Sequence, residues 1–358
     1  MSEPITVTSD ARRQRLRRVL LVVVATAIAS VGVGSQVALV TDLTPDANSP
    51  IYPVPQDKPE VLLNAHDGKF FAAVAADPLL SDPDSIGPEV GQRASRPLFS
   101  WLTWLAALGS RDRIPWALMA LTALSIGALV AAMVALADAL DHDGGSPWLL
   151  CVLGTPGVLA LVAFPGLNDA LGAALAVVGF AAWKRRNSAV ALAAFAAAGL
   201  CHEALLICPL AIFAAEWLAE RRRPGVRWLL AFVPYVLWVG FVRVRVGDWP
   251  TASGHGNLGA PFAGFISAVH DRWQPFDAVC FVVIVLAGVV AWTHLRDRAL
   301  RLTLLGFAAV AIVVGPYPWA RWVDFGRILL PVCALGVVGA LAPRERHQPQ
   351  PGRLAGRS

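Results

Sequence analysis

Charged residues are scarce in this chain of 358 residues. Only 15% of the residues are Asp, Glu, Lys or Arg, whereas 56% are hydrophobic. A soluble globular domain carries about 25% charged residues. The charges that are present cluster between long apolar runs, so separable soluble domains are excluded. The composition predicts a polytopic membrane protein whose apolar segments form one all-α bundle.

Cysteine is also sparse, and its placement excludes two classes of site. The five cysteines all fall in apolar segments, and no two of them have the Cys-x-x-Cys spacing of metal or redox motifs. We therefore expect buried free thiols instead of disulfides or a cysteine metal centre. The residues are Cys151, Cys201, Cys208, Cys280 and Cys333.

The net charge of +5 would suggest a nucleic-acid partner in a soluble protein. Here the basic residues form short clusters at the ends of apolar runs, where Lys and Arg orient a chain in the membrane. No nucleic-acid motif accompanies them, so we expect membrane lipids as partners and no nucleic acid.

The first apolar run, residues 19–40, follows a basic tail over residues 1–18 that includes Arg12 and Arg18. A signal peptide has an apolar region of only about 7–15 residues. This run is longer, and no clear small-residue cleavage site follows it. The pattern favours an uncleaved first helix with a cytoplasmic N-terminus in the cytoplasmic membrane, and a cleaved signal peptide is the alternative.

Four further basic clusters test this orientation: residues 184–186, 221–227, 296–301 and 344–347. All four face the cytoplasm if the chain crosses the membrane about ten times, with both termini inside and residues 343–358 forming a short disordered tail. The membrane domain then covers residues 19–342. The predicted helices are 19–40, 115–138, 147–163, 168–183, 188–201, 203–218, 228–247, 276–294, 302–317 and 328–342.

Residues 98–109 form an apolar segment of ambiguous role. If this segment crossed the membrane, every later basic cluster would face outward, so we interpret it as an interfacial or half-inserted helix. Trp101 and Trp104 suit that position. The other tryptophans near helix ends, among them Trp273 and Trp319, are expected mainly in the interfacial belt.

This orientation places residues 41–97 outside the cytoplasmic membrane as a long first loop. Its many prolines exclude one long helix. Residues 61–76 lack proline and alternate apolar and polar residues at helical spacing, which predicts a short amphipathic helix at the interface with Asp67 on its polar side.

Polar residues that charge bias does not explain gather on the same outer side. Ionisable groups near membrane depth are costly and usually functional, so their convergence predicts an outward-facing polar cavity. The candidates are Asp67, Asp77, Arg96, Asp169, His202, Glu203, Arg243, Arg245, Asp324 and Arg327, with His255 and Asn257 in a Gly-rich loop.

Taken together, these motifs resemble bacterial membrane glycosyltransferases of the GT-C superfamily. The resemblance covers roughly residues 19–341. The matching motifs are Asp67-Gly68-x-Phe70-Phe71, Asp77-Pro78, Arg96-Pro97-Leu98, His202-Glu203, Arg243-Val244-Arg245 and Asp324-x-x-Arg327.

The resemblance implies transfer of a sugar from a polyprenyl-phosphate carrier to a glycan, lipid or protein acceptor outside the cytoplasmic membrane. A first-loop aspartate is the usual catalytic carboxylate of such proteins, which points to Asp67. Members often have a second acid beside it, where this chain has His66 and Gly68, and Arg or Lys where it has His202. These departures leave dependence on a divalent cation open.

The chemistry of the residues fits this implication. A carboxylate near the acceptor hydroxyl can take its proton, and Arg binds phosphate oxygens through two donors. The phosphate and substrate candidates are Arg96, Arg243, Arg245, Arg327, His202, Glu203, Asp77 and Asp169. Structural roles stay open for several: Asp77 in a turn, Asp169 at a helix N-terminus and Arg96 as a membrane anchor.

Two other functions compete with a glycosyltransferase. A transporter or flippase of a lipid-linked or polar solute would usually show two related halves, and no convincing internal repeat is found here. A non-catalytic envelope scaffold would not depend on Asp67 or Arg96.

Overall fold

The structure is a computed structural model that describes residues 9–39, 59, 62–63, 66–86, 90–219, 225–247, 249 and 258–342. These residues form helices joined by short turns. The described residues contain no named β-strand, only an isolated antiparallel bridge between Leu258 and Val314. The predicted all-α class is confirmed.

Sixteen α-helices follow one another in the described residues, with five 3₁₀ segments between them. The α-helices are α1 (Ser9–Leu39), α2 (Gly68–Ala76), α3 (Val90–Ala94), α4 (Pro97–Ala106), α5 (Ile114–Ala139), α6 (Pro156–Ala163), α7 (Asp169–Lys184), α8 (Ser188–Cys201), α9 (Ile207–Ala219), α10 (Val233–Val246), α11 (Ala263–Asp271), α12 (Pro275–His294), α13 (Arg298–Val313), α14 (Pro316–Trp319), α15 (Trp322–Ile328) and α16 (Leu330–Ala340). The 3₁₀ segments are Pro83–Ile86, Arg111–Arg113, Pro147–Gly154, Glu203–Leu206 and Val226–Phe232.

Helix α5 is the most buried of the long apolar helices, and it packs against α1 and α7. Glycines permit these close approaches. A Cβ on Gly127 of α5 would lie 2.0 Å from Thr26 Oγ1 of α1. In the same way, a Cβ on Gly179 of α7 would lie 2.5 Å from the ring of Phe195 in the next helix, α8. Small residues let helix backbones approach where lipid gives no hydrophobic drive for association.

Within the part of the chain that the structure describes, four helical stretches are long and apolar enough to cross a membrane: Asp10–Leu39, Arg111–Ala139, Val226–Val246 and Pro275–His294. Helices α15 and α16 together make a fifth if their 62° bend lies within one span. The predicted number of about ten crossings is not confirmed. Several other helices are short, and the eight residues of α6 rise only about 12 Å against a hydrocarbon core of about 30 Å.

The helix predicted over residues 61–76 is interrupted. Leu62 and Leu63 are helical, but His66 and Asp67 form a turn and α2 starts at Gly68. A Cβ at position 68 would lie 2.7 Å from Leu63 Cδ2 and 3.1 Å from the Pro165 carbonyl oxygen. Asp67 therefore lies in a turn that is pressed against the segment between α6 and α7. The loop acids at positions 42, 46, 57, 60 and 89 lie outside the described residues.

Helix α4 covers most of the ambiguous segment and ends at Ala106, before a turn in which Leu108 and Gly109 have positive φ. Trp104 is 39% exposed, whereas the Trp101 ring packs at 4.7 Å against the ring of Trp238. Trp101 therefore anchors α4 to α10 instead of lying free at an interface.

Two predictions about side-chain environment can also be compared with the structure. All five cysteines are free, and four are buried as expected, but Cys151 is exposed. Trp319 is only 4% exposed and packs with Phe265 and Trp273, so it belongs to an internal aromatic group and not to an interfacial belt.

Candidate functional site

Two guanidinium groups meet the carboxylate of Asp67. Arg327 donates from Nη2 to Asp67 Oδ2 at 2.7 Å, and Nη1 of Arg93 lies 3.0 Å from the same oxygen. The three side chains are only 14–16% exposed. Charge-assisted contacts of this length are the strong class of hydrogen bond, so Asp67 is held firmly.

The fold brings these groups together from distant parts of the chain. Asp67 precedes α2, Arg93 belongs to α3, and Arg327 lies in α15, which packs against α6. The close approach of Gly68 to Pro165, just after α6, carries the Asp67 turn to the same place. The first loop and the last bent helix pair thus share one site.

Arg327 also faces two further acids. Its Nη2 lies 3.5 Å from Asp324 Oδ1 within α15, and its Nη1 lies 3.9 Å from Asp169 Oδ2 at the start of α7. Asp169 Oδ2 is buried and accepts no hydrogen bond from the residues that the structure describes. One guanidinium therefore serves three carboxylates and leaves part of their bonding capacity unused.

His66 completes the arrangement. Its Nε2 lies 3.7 Å from Asp324 Oδ1, its Nδ1 lies 4.0 Å from Asp67 Oδ2, and its ring packs at 4.9 Å from the ring of Phe164. Within the described part of the chain neither buried ring nitrogen has a hydrogen-bond partner. We call His66, Asp67, Arg93, Asp169, Asp324 and Arg327 the Asp67 cluster.

The surroundings of His66 and Asp67 lower the pKa of both side chains, which keeps the imidazole uncharged and the carboxylate ionised. Burial alone would raise the pKa of Asp67, but the charges of Arg327 and Arg93 outweigh it and hold that pKa well below its usual range. Burial, reinforced by the charge of Arg327, lowers the pKa of His66 from 6.5 to about 4. At neutral pH the carboxylate is ionised and the imidazole is uncharged.

A second ion pair joins two other predicted residues, Arg96 and Glu203. Arg96 donates from Nε and Nη2 to the two carboxylate oxygens of Glu203, at 2.8 and 2.6 Å. His202 Nδ1 accepts from the Ala204 amide at 3.3 Å and lies 3.9 Å from Glu203. The pair joins the start of α4 to the turn between α8 and α9.

Asn168 does not act as a side-chain cap for α7. Its amide Nδ2 instead donates to the carbonyl oxygen of Cys201 at the end of α8. This bond fixes the start of α7, and with it the position of Asp169, relative to His202.

The remaining predicted residues contact other parts of the protein. Arg243 packs its guanidinium over the Trp249 ring at 5.8 Å, and Arg245 donates to the Leu79 carbonyl oxygen at 3.3 Å. Asp77 accepts from the Asp82 amide at 2.8 Å, which is the geometry of a turn residue. The structure does not bring these three side chains to Asp67.

The predicted candidates His255 and Asn257 lie outside the described residues. Among the described residues no group of three or more His, Cys, Asp or Glu side chains has an arrangement suited to a metal ion. The divalent cation stays a hypothesis.

Sequence reasoning gave little weight to two members of the cluster. His66 was noted only as a departure from the family pattern, and Arg93 was not among the predicted site residues. The available signal was proximity: His66 precedes Asp67, and Asp324 and Arg327 are one helical turn apart. The nearness of Arg93 to Asp67 is a tertiary contact that spacing does not reveal.

Comparison of the chain with protein-family models, with curated proteins and with solved structures found no match. The resemblance to GT-C glycosyltransferases therefore rests on the motifs quoted above.

Proposed function

We propose that this protein is an integral membrane glycosyltransferase that moves a sugar from a polyprenyl-phosphate donor to an acceptor in the cell envelope. The observation that carries the proposal is the contact between Asp67 and Arg327, which are 260 residues apart in the chain. It joins the two strongest candidates for proton acceptor and phosphate ligand in one partly buried site of an apolar helix bundle.

The proposed reaction uses the two kinds of group in the Asp67 cluster. The acceptor hydroxyl attacks the anomeric carbon of the donor sugar, and the bond between that carbon and the phosphate oxygen breaks. The hydroxyl proton goes to Asp67, and the negative charge of the departing polyprenyl phosphate is stabilised by arginine.

The contacts of Asp67 suggest how its basicity would change during this reaction. A carboxylate bound by two guanidiniums is a weak base because both contacts favour its ionised form. When donor binding draws Arg327 or Arg93 away from Asp67, the carboxylate loses part of this stabilisation and its affinity for a proton rises. Donor binding would thus prepare the carboxylate for the acceptor.

The finer topology belongs to the same proposal. About ten crossings, cytoplasmic termini and an extracytoplasmic first loop would place the Asp67 cluster at the outer face. A cysteine-accessibility map of the first loop in intact cells tests this orientation. Labelling near Asp67 only from the cytoplasmic side would overturn it.

A transporter of a lipid-linked or polar solute is the second candidate, because of the bend between α15 and α16. Interrupted helices with charged side chains at the break are typical of substrate and ion sites in transporters. A proteoliposome assay without any acceptor separates the two functions. Solute movement without sugar transfer would favour the transporter.

The deciding experiment replaces Asp67 by Asn in the full chain and measures sugar transfer from a panel of polyprenyl-phosphate hexoses and pentoses to envelope acceptors. We expect transfer to fall at least about 100-fold while the protein still folds, because general acid–base contributions are typically about 10²–10⁴-fold. Asp77→Asn is the matched control, since Asp77 belongs to the same loop but bonds only within a turn. Full activity of the Asp67 variant would remove this residue from the mechanism.

A further inference from the structure

An apolar groove lies between α12 and α13, apart from the residues predicted to bind substrate. Its volume is about 440 Å³. Phe281, Ile284 and Gly288 form one wall, Leu304 and Ala308 form the other, and few polar atoms face it. A space of this size and lining suits a hydrocarbon chain.

The groove opens at the surface of the bundle. Helix α12 is one of the helices that are long and apolar enough to cross a membrane, so in a membrane-spanning α12 the groove would face the hydrocarbon core. Val285, Val289 and Trp292 border the groove and are 44%, 52% and 42% exposed. A chain can therefore enter sideways from the bilayer without crossing a polar surface.

A second cavity, also of about 440 Å³, has charged and polar side chains in its lining. Arg272, Tyr317, Arg321 and Asp324 line this space, which we call the polar cavity. Consecutive residues line the two cavities, since Trp319 lines the groove and Ala320 and Arg321 line the polar cavity. One amphiphilic molecule can thus occupy both.

The charges of the polar cavity favour an anion. The lining has two guanidiniums, those of Arg272 and Arg321, and one carboxylate, that of Asp324, which is already engaged by Arg327. The Arg321 side chain is 58% exposed, so it can reach a ligand without losing its place beside Asp324 at 3.5 Å. Arginine pairs bind phosphate through several parallel donors.

We propose that these two cavities form the binding site of a long-chain lipid phosphate, with the chain in the groove and the phosphate between Arg272 and Arg321. The assignment deepens the proposed function, on which it rests, because the lipid is then the sugar carrier. It moves the carrier phosphate away from Arg243 and Arg245, which contact Trp249 and Leu79.

The polar cavity shares Asp324 with the Asp67 cluster. Arg321 contacts Asp324, Asp324 contacts Arg327, and Arg327 contacts Asp67, at 3.5, 3.5 and 2.7 Å. A phosphate bound by Arg321 would offset part of the positive charge beside Asp324 and leave Arg327 as the main partner of Asp324. The carrier headgroup and the candidate catalytic carboxylate are thereby coupled through a continuous set of charged contacts.

The test measures binding to the purified full-length protein in nanodiscs by native mass spectrometry and by photo-crosslinking. The probes are a polyprenyl monophosphate, the matching polyprenol and a phosphatidylglycerol. We expect the monophosphate to bind at least about tenfold more tightly than the alcohol, and the double variant Arg272→Ala, Arg321→Ala to lose this preference. Crosslinks should map to α12 and α13.

A substitution that fills the groove tests the place of the chain. A Cβ at Gly288 would lie 3.5 Å from Val332 Cγ1, an ordinary contact, so a larger side chain there extends into the groove. Gly288→Phe should lower monophosphate binding at least about tenfold. Gly240→Phe is the matched control, because a Cβ at Gly240 of α10 meets nothing within 4 Å and this glycine does not line the groove.

Three results would overturn the site: equal binding of the alcohol and the monophosphate, equal competition by phosphatidylglycerol, or unchanged binding in the Gly288 variant. The readout does not require sugar transfer. Binding with the expected pattern together with undiminished transfer by the Asp67→Asn variant would contradict the proposed mechanism and leave the lipid site standing. Absent binding with Asp67-dependent transfer would do the reverse.

Discussion

The Arg96–Glu203 pair and the Asp67 cluster are two ion-pair sites that differ in how completely their polar atoms are hydrogen-bonded. Arg96 and Glu203 match each other through two short parallel hydrogen bonds, which use both carboxylate oxygens. In the Asp67 cluster one carboxylate oxygen receives two guanidiniums, while Asp169 Oδ2 and both nitrogens of His66 lack hydrogen-bond partners among the described residues.

This difference separates a structural contact from a candidate binding site. A buried polar atom without a partner costs free energy, and a protein keeps such atoms where a ligand or a change of state uses them. In the Arg96–Glu203 pair both carboxylate oxygens accept a hydrogen bond, and the pair has a structural role because it joins α4 to the turn between α8 and α9. The Asp67 cluster has bonding capacity to offer a phosphate or a hydroxyl.

The largest expected effect comes from Arg327→Ala. Its loss leaves Asp67, Asp169 and Asp324 without their shared cation, and breaking a buried pair from one side costs about 3–5 kcal/mol. Unfolding of the purified protein in detergent, followed by circular dichroism, measures the change. Arg327→Lys should recover part of it, and wild-type stability in the Ala variant would mean that the cluster does not support the fold.

A double-mutant cycle on Arg96→Ala and Glu203→Gln sharpens the comparison. We expect a coupling of about 1–3 kcal/mol in the free energy of unfolding, reduced by solvent since the Glu203 side chain is 39% exposed. If the pair is only structural, sugar transfer per folded molecule stays within about threefold of wild type. A loss of transfer as large as that of Asp67→Asn would place the pair in the active site.

His66 should make stability depend on pH. Because the folded state lowers the pKa of His66 from 6.5 to about 4, the unfolded chain binds the extra proton first as pH falls. Above about pH 6.5 His66 does not reduce the free energy of unfolding. Between about pH 6.5 and pH 4 the free energy of unfolding falls as pH falls, by at most a few kcal/mol. The charged groups around His66 are Asp67, Asp324, Arg327, Arg321 and Arg93. Thermal unfolding across this window measures the slope, and the same slope in His66→Asn would exclude His66 as its source.

Asp77→Ala should have the smallest effect. It removes one acceptor from a turn, so the free energy of unfolding should fall by about 1 kcal/mol or less and sugar transfer per folded molecule should not change. Chemical denaturation measures the first and the transfer assay the second. A loss of transfer in this variant would return Asp77 to the list of substrate ligands.

Local sequence patterns were enough to predict the all-α class and most of the helical segments. Hydropathy and charge located the helical segments, because apolar length and flanking Arg act within about 20 residues of sequence. The break at His66 was not foreseen, since it depends on the approach of Gly68 to Pro165 from another helix. The number of crossings stays a prediction, and 3₁₀ segments such as Pro147–Gly154 interrupt apolar runs that the sequence pattern presents as continuous.

For the candidate site, too, the residue types could be predicted from local sequence, whereas the contacts between distant residues could not. Asp67, Asp169 and Arg327 were identified by residue type and by their place in loops or at helix ends. Their mutual contact, and the exclusion of Arg243 and Arg245 from it, depend on how α15 packs against α6 and how α10 lies along the first loop. Such distances between remote segments are tertiary properties that a single sequence does not encode in its spacing.

The 260-residue separation of Asp67 and Arg327 has a consequence for biosynthesis. The aspartate leaves the ribosome long before the arginine is made, so most of the helices must be inserted while this carboxylate lacks its main counterion. A chain truncated before α15 would lack the Arg327 contact permanently and would keep only Arg93, of the two guanidiniums that contact Asp67 in the full chain, to balance this carboxylate.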